Sequence, residues 1–173
     1  TNSTVVDNAG GIFGGGIYVA TGATGMSFVG NTVASNFGGS LGGNGIYVSG
    51  GTVDFQRNVI AFNVDGSTSP NGVNLVGATA TFSCNLLHGN ALGNVGGAAD
   101  PVGSNGNIDE DPMFCDVAAG EYTLDVASPA ATAACTSETM NGSGASVVIS
   151  HAAPTSCIHE PMLETISASH SAG

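Results

Sequence analysis

Carboxylates in one short acidic segment are the residues of this chain whose types and spacing come closest to a chemical site. Asp109, Glu110 and Asp111 are consecutive, and Asp116 follows them closely. Two carboxyl groups placed on either side of a glycosidic bond can hydrolyse it, and carboxylate oxygens are also the ligands that Ca²⁺ prefers. The twelve-residue calcium-loop pattern is absent, and Asp111 directly precedes Pro112, as in a structural turn. We therefore predict a solvated acidic turn here, with no catalytic residue, no metal and no cofactor.

The balance of charge excludes several classes of partner. Arg57 is the only Lys or Arg of the chain, against 13 acidic residues, and the formal net charge is −12. Nucleic acids and anionic membrane surfaces are bound through Lys and Arg, so we expect neither partner, and no apolar run is long enough to insert into a membrane. Arg57 is expected to be solvated or to pair with Asp54, which lies three residues before it.

A sequence repeat of 27 residues must position these side chains. The copies Met26–Asn36, Val53–Asn63 and Ala80–Asn90 align with one another, and a repeat of this length indicates a solenoid. One Phe and two Asn recur in every copy. These nine residues are Phe28, Phe55, Phe82, Asn31, Asn58, Asn85, Asn36, Asn63 and Asn90.

The repeating unit reads as strands and turns. Short β-branched and aromatic runs, such as Gly45–Val48, are bounded by glycines, and no helical pattern separates them. Two or three strands per copy predict one coil of a parallel β-helix, in which equivalent residues of stacked coils lie about 4.8 Å apart. We expect the Phe residues to stack inside, beside a row of Val33, Ile60 and Leu87. The Asn residues are expected at bends, in left-handed backbone conformations, with their amides bonded along the stack.

Outward-facing residues of the same strands would form surface rows that could bind glycans, although alternation alone also produces a solvated polar face. Two such rows are predicted from the repeat, namely Ser27, Asp54 and Thr81, and then Val29, Gln56 and Ser83.

Four cysteines in a chain with so few basic residues indicate disulfides and an oxidising compartment. One coil beyond Cys84 falls close to Cys115, so we expect these two to bridge neighbouring coils. Cys135 and Cys157 would then form the second disulfide. A metal site is disfavoured because no Cys-x-x-Cys spacing occurs.

A family resemblance rests on two motifs. The pattern Phe28-x-x-Asn31-x-Val33-x-x-Asn36 resembles the repeats of right-handed parallel β-helix proteins, the pectin-lyase-like superfamily. The segment 111–130 is similar to the closing coil of secreted, modular bacterial β-helix proteins. The resemblance implies a right-handed fold but leaves the function open, since this superfamily includes lyases, hydrolases, adhesins and structural domains. A lyase of this kind would need a Lys or Arg base, for which Arg57 is the only candidate.

We therefore predict an all-β chain, a right-handed parallel β-helix solenoid of roughly six coils with an irregular C-terminal tail. Residues 1–135 would form the β-helix domain, with a loop-rich insertion at 93–110 and a closing coil at 111–135. Residues 136–173 would be a capping or assembly segment.

The predicted function is that of a non-catalytic, extracellular structural or adhesive module. Terminal coils of a solenoid expose unpaired strand edges. We therefore expect self-association through these ends, as in a head-to-tail filament. The alternative is a polysaccharide-binding or polysaccharide-degrading domain, a lyase or a hydrolase.

Overall fold

The computed structural model describes residues 1–38, 41–64, 72–132, 135–136, 146–147 and 157. Nearly all of its elements are strands, which confirms the predicted all-β class. In chain order the strands are β1 (Thr4–Val6), β2 (Ile17–Val19), β3 (Met26–Val29), β4 (Thr32–Ala34), β5 (Ile46–Gln56), β6 (Val59–Ala61), β7 (Val73–Ser83), β8 (Leu86–His88), β9 (Val95–Gly96), β10 (Phe114–Asp116), β11 (Glu121–Leu124), β12 (Cys135–Thr136) and β13 (Ser146–Val147). A 3₁₀ turn at Val117–Ala119 and a one-turn helix α1 at Pro129–Thr132 complete the described elements.

Two parallel sheets organise the repeat. One has the strand order β1-β4-β6-β8, and the other has the order β2-β5-β7-β9 with β3 also paired to β5. Equivalent residues of successive copies are direct partners, as Val33, Ile60 and Leu87 show. The copies therefore lie on one another in register, one strand spacing apart.

Aromatic and aliphatic rows fill the space between the sheets. The ring centroids of Phe28 and Phe55 are 5.2 Å apart and those of Phe55 and Phe82 are 4.9 Å apart, with nearly parallel planes. Phe55, in the middle, has no exposed surface. This is the stack that the repeat spacing predicts, and it belongs to one continuous apolar cluster with the aliphatic row.

Each recurring Asn extends a hydrogen-bonded ladder. The backbone N–H and the side-chain Nδ2 of Asn31 both donate to Oδ1 of Asn58, at 3.0 and 2.9 Å, and Asn58 donates in the same way to Asn85. The remaining Nδ2 hydrogen of Asn58 is given to the carbonyl of Phe28, at 2.9 Å. A second ladder repeats this geometry from Asn36 through the next two copies. These buried amides are thus satisfied, as burial of a polar group requires.

The expected backbone conformation of the Asn residues was wrong. None of the six ladder Asn has a positive φ, whereas the residue immediately before each of them does. The corner is turned one position earlier, so the Asn amide that follows can point along the stack toward the next copy. The left-handed residues are Gly30, Ser35, Arg57, Phe62, Cys84 and Gly89.

The segment 93–110, predicted to be a loop-rich insertion, contains a shortened copy of the repeat. Val95 pairs with Val73, and Ile108 forms a parallel bridge with Leu86. Asn107 accepts both ladder hydrogen bonds from Asn85, at a separation of 22 residues rather than 27. Because the offset is constant from Val95 to Ile108, the missing residues fall in the connection between β8 and β9.

The segment expected to close the stack folds differently. Its strands β10 and β11 pair with each other, antiparallel, in a sheet of their own. This hairpin and α1 cover the outward face of the β1-β4-β6-β8 sheet, where Leu124 and Ala130 pack against Val59 and Leu86. The Tyr122 hydroxyl donates to Asp7 of the first copy, at 2.7 Å. The hairpin therefore braces one sheet across several copies instead of adding a further strand to it.

Little of the predicted tail, 136–173, belongs to the described residues. Within it, β13 pairs antiparallel with β12, and Cys157 is described. The other residues of the tail lie outside the described part of the chain.

Candidate functional site

The outward side of β3, β5 and β7 forms a shallow depression of about 380 Å³, which we call the polar groove. The strand register brings both predicted surface rows onto this face of the sheet. Neighbouring copies supply equivalent positions, so the groove is made mainly of short hydroxyl, carboxyl and small apolar side chains. Its lining residues are Gly25, Met26, Ser27, Thr52, Val53, Asp54, Thr79, Ala80 and Thr81.

Asp54 is the centre of the hydrogen bonding in the polar groove. Thr81 Oγ1 donates to its Oδ1 at 2.6 Å, and Gln56 Nε2 donates to its Oδ2. Thr52 Oγ1 accepts the backbone N–H of Gly25 at 3.0 Å. The two predicted rows are thus joined through one carboxylate, which is held in place from both sides.

Arg57 does not complete a catalytic pair with Asp54. It occupies the left-handed corner after β5, with φ of 53°, and its side chain is half-buried. No ion pair joins Arg57 to a carboxylate among the described residues, where His88–Asp109 is the recorded pair. Asp65, the other nearby acid in the sequence, lies outside the described residues.

The carboxylates of the acidic segment have separate local roles. Asp111 accepts the N–H of Met113 at 2.8 Å, and Asp116 accepts the N–H of Ala119 at 3.1 Å, so both cap turns. Asp109 instead lies 2.8 Å from His88 Nδ1. In the part of the chain that the structure describes, no three His, Cys, Asp or Glu side chains are grouped closely enough to hold a metal ion.

The pair of His88 and Asp109 was not predicted, because a shortened copy brings the two residues together. Both side chains are partly exposed, and the Phe62 ring lies edge-to-face with the imidazole, with ring centroids 5.6 Å apart. An imidazole oriented by a carboxylate is one half of a nucleophile–His–carboxylate arrangement. Among the described residues, no hydroxyl or thiol hydrogen-bonds the other ring nitrogen. The geometry therefore supports an orienting pair without a nucleophile.

Two groups of the hairpin have displaced pKa values. Burial raises the pKa of the Tyr122 phenol, and the nearby Asp7 carboxylate raises it further because it disfavours the phenolate. Hydrogen bonds from the side chain and backbone of Thr123 lower the pKa of the exposed Glu121.

The predicted pairing of the cysteines was wrong. Cys115 is bonded to Cys157, across 42 residues of sequence, so the predicted bonds of Cys84 to Cys115 and of Cys135 to Cys157 do not form. Cys84 is also disulfide-bonded. The prediction assumed that Cys115 would lie on a regular coil above Cys84, whereas Cys115 lies in the antiparallel hairpin.

A cluster of aromatic rings beside β2 and β5 was also missed. Phe13 lies 5.5 Å from Tyr18 and 4.9 Å from Tyr47, between ring centroids. Tyr18 and Tyr47 are register partners, and Tyr18 is 49% exposed. The repeated Gly-Ile-Tyr-Val motif was a sequence signal for this contact. We call these three residues the aromatic cluster.

No family model, curated protein or solved structure matches this chain. Within the described ranges, none of the helices has the length and apolarity needed to cross a membrane. The function is accordingly argued from the arrangement of side chains.

Proposed function

We propose that the two parallel sheets are walls of a right-handed parallel β-helix similar to the pectin-lyase-like superfamily. The support is the in-register pairing of copies 27 residues apart, together with the two Asn ladders that join them. A single chain that places equivalent strands in parallel must travel once around between them, which is the path of a coil.

We propose further that the chain is a non-catalytic, extracellular structural or adhesive module. The observation that carries this proposal is the state of Asp54, the carboxylate at the centre of the polar groove. Both of its oxygens accept hydrogen bonds from neighbouring side chains of the same sheet. A carboxylate held in this way orders the surface, and Asp54 supplies the one carboxyl group among the lining residues of the groove, whereas glycoside hydrolysis uses two.

The class of ligand follows from charge and from the exposed rings. With a net charge of −12, the chain repels acidic polysaccharides. Neutral glycans carry many hydroxyl groups for the polar groove and apolar faces for rings such as Tyr18, which combine an apolar body with a polar tip. We therefore propose adhesion to neutral glycans.

Disulfides support the extracellular location, because such bonds persist in oxidising compartments. Self-association through the ends of the stack remains part of the proposal. Negative-stain electron microscopy would show fibres if the copies join head to tail. Single particles at every protein concentration would remove the filament from the proposal.

Co-sedimentation with insoluble neutral polysaccharides tests adhesion. The wild-type protein should enter the pellet without releasing reducing ends or unsaturated products. Tyr18→Ala should weaken this binding, whereas Leu92→Ala, which alters a more exposed apolar side chain outside the polar groove and the aromatic cluster, should not. Release of products would favour the alternative of a polysaccharide-degrading enzyme. A protein that stays in the supernatant with every polymer would refute adhesion.

A further inference from the structure

Within the described residues, the outer edge of β7 is unpaired over much of its length. On one side β7 pairs with β5 from Val73 to Ser83, with one interruption. On the other side, the described part of the chain pairs with it through β9, at Val73 and Asn74. The shortened copy of the repeat therefore leaves a long parallel strand with one free edge in the middle of the chain.

Both ends of this free edge are closed by contacts with the last copy. Gly97 lies so near the carbonyl of Leu75 that an added Cβ would come within 1.9 Å of it. Asn107 Nδ2 donates to the carbonyl of Phe82 at 3.1 Å. Between these contacts, no described residue forms a backbone hydrogen bond with Val76–Thr81 from the side opposite β5.

The window Val76–Thr81 has the surface of an acceptor strand. Val76, Gly77, Thr79 and Thr81 are exposed, while Ala78 and Ala80 are half-buried and pack against the core. In a parallel sheet, alternate residues direct their N–H and C=O groups to opposite neighbours. Half of the groups in this window therefore have no partner among the described residues and can pair with an added strand, which is how open sheet edges bind extended peptides.

We propose that this window binds an extended peptide bearing Lys or Arg, which adds to the sheet beside β7. The small side chains of Gly77, Ala78 and Ala80 let another backbone approach closely. The carboxylate of Asp54 lies one strand inward and is bonded to Thr81. A long basic side chain opposite Thr81 can extend across it toward that carboxylate.

Charge favours a cationic peptide as the occupant of this window. The protein has 13 acidic residues and one basic residue, so a cationic segment is attracted to it. Closure of the window at Leu75 and Phe82 further favours a single short strand over the edge of another folded domain. This proposal does not depend on glycan adhesion, since strand addition uses backbone groups.

Isothermal titration calorimetry with the probe peptide acetyl-Val-Lys-Val-Lys-Val-Lys-amide and two N-methylated forms tests strand addition. One form is methylated at the Val amides and the other at the Lys amides. Because only one edge of the peptide can face β7, one form should bind like the parent and the other about tenfold or more weakly. Equal binding of both forms, or no binding of the parent peptide, would overturn the proposal.

Two further measurements locate the peptide. Hydrogen exchange of the wild-type amides should slow at Val76–Thr81 when the parent peptide is added. Asp54→Asn should weaken binding of the Lys peptide several-fold. It should leave unchanged the binding of a matched peptide in which Thr replaces each Lys. Protection of this window that grows with protein concentration in the absence of peptide would show that a second copy occupies the edge, and would contradict the proposal.

Discussion

Replacing Asn58, an inner member of the first Asn ladder, by Ala should strongly destabilise the fold. Asn58 is 1% exposed. Its Oδ1 accepts two hydrogen bonds from Asn31, and its Nδ2 donates to Asn85 Oδ1 and to the carbonyl of Phe28, all at 2.9 to 3.0 Å. Alanine removes all four bonds and leaves their partners inside the protein without water.

The size of the effect follows from these four bonds. A typical intramolecular hydrogen bond contributes about 0.5–1.5 kcal/mol net, so their loss should lower the free energy of unfolding by about 2–6 kcal/mol. We expect a value near the middle, about 4 kcal/mol, because the backbone N–H of Asn58 keeps its own bond to Asn85.

The matched control is Asn8→Ala. Asn8 also donates from Nδ2 to a ladder Oδ1, that of Asn36 at 2.9 Å, but it is exposed and water can replace the lost bond. Its loss should cost about 1 kcal/mol or less. Urea unfolding with the disulfides intact, followed by circular dichroism, measures both variants. If Asn58→Ala costs no more than Asn8→Ala at unchanged m-value, the ladder does not stabilise the stack as argued.

Three further changes test other contacts. Phe55→Ala should lower the free energy of unfolding by about 3–5 kcal/mol, and Phe28→Ala, at the half-buried end of the stack, should cost clearly less in the same urea titration. Tyr122 has a raised pKa, so its contribution to the free energy of unfolding is present below the unfolded pKa near 10 and is lost as pH rises through the folded pKa. Tyr122→Phe should therefore reduce the loss of stability in this alkaline range. An unchanged slope of stability against pH would contradict the assigned cause. Removing the Cys115–Cys157 bond by Ala substitution at both positions should lower stability by about 3–4 kcal/mol in the chain-entropy estimate, which calorimetry under non-reducing conditions measures.

The sequence was sufficient to predict the stack because its contacts join like with like. Phe28, Phe55 and Phe82 must recur at one spacing if their rings are to meet, and so must the Asn residues of each ladder. Such contacts leave a direct trace in a single sequence. The strand class and the parallel pairing follow from the same trace, since no helix fits between consecutive copies.

The shortened copy left a weaker trace. Its Asn107 and Ile108 correspond to Asn85 and Leu86, but the position equivalent to Phe82 is Ser104, so the aromatic signal ends. The change of period from 27 to 22 residues then made Asn107 look like part of a loop. The regular spacing of the earlier copies does not show where residues are missing from a later one.

The hairpin and the disulfide depend on contacts that do not repeat. Phe114 and Tyr122 pack together and lie against the outer face of the first sheet, and Tyr122 also reaches Asp7, 115 residues away. No spacing rule connects such partners, because the hairpin returns along the stack instead of extending it. The prediction for Cys84 and Cys115 applied the repeat rule to a segment that had already left the repeat.

Repetition also indicates where function should be sought in this chain. A residue that recurs in each copy is already engaged with its counterparts, as the satisfied amides of the ladders show, and it has little capacity left for a ligand. Features that occur once are not constrained in this way. The free edge of β7 is such a feature: among the described residues, those that follow β9 form bends and turns instead of a strand beside β7, so the last copy does not pair with Val76–Thr81.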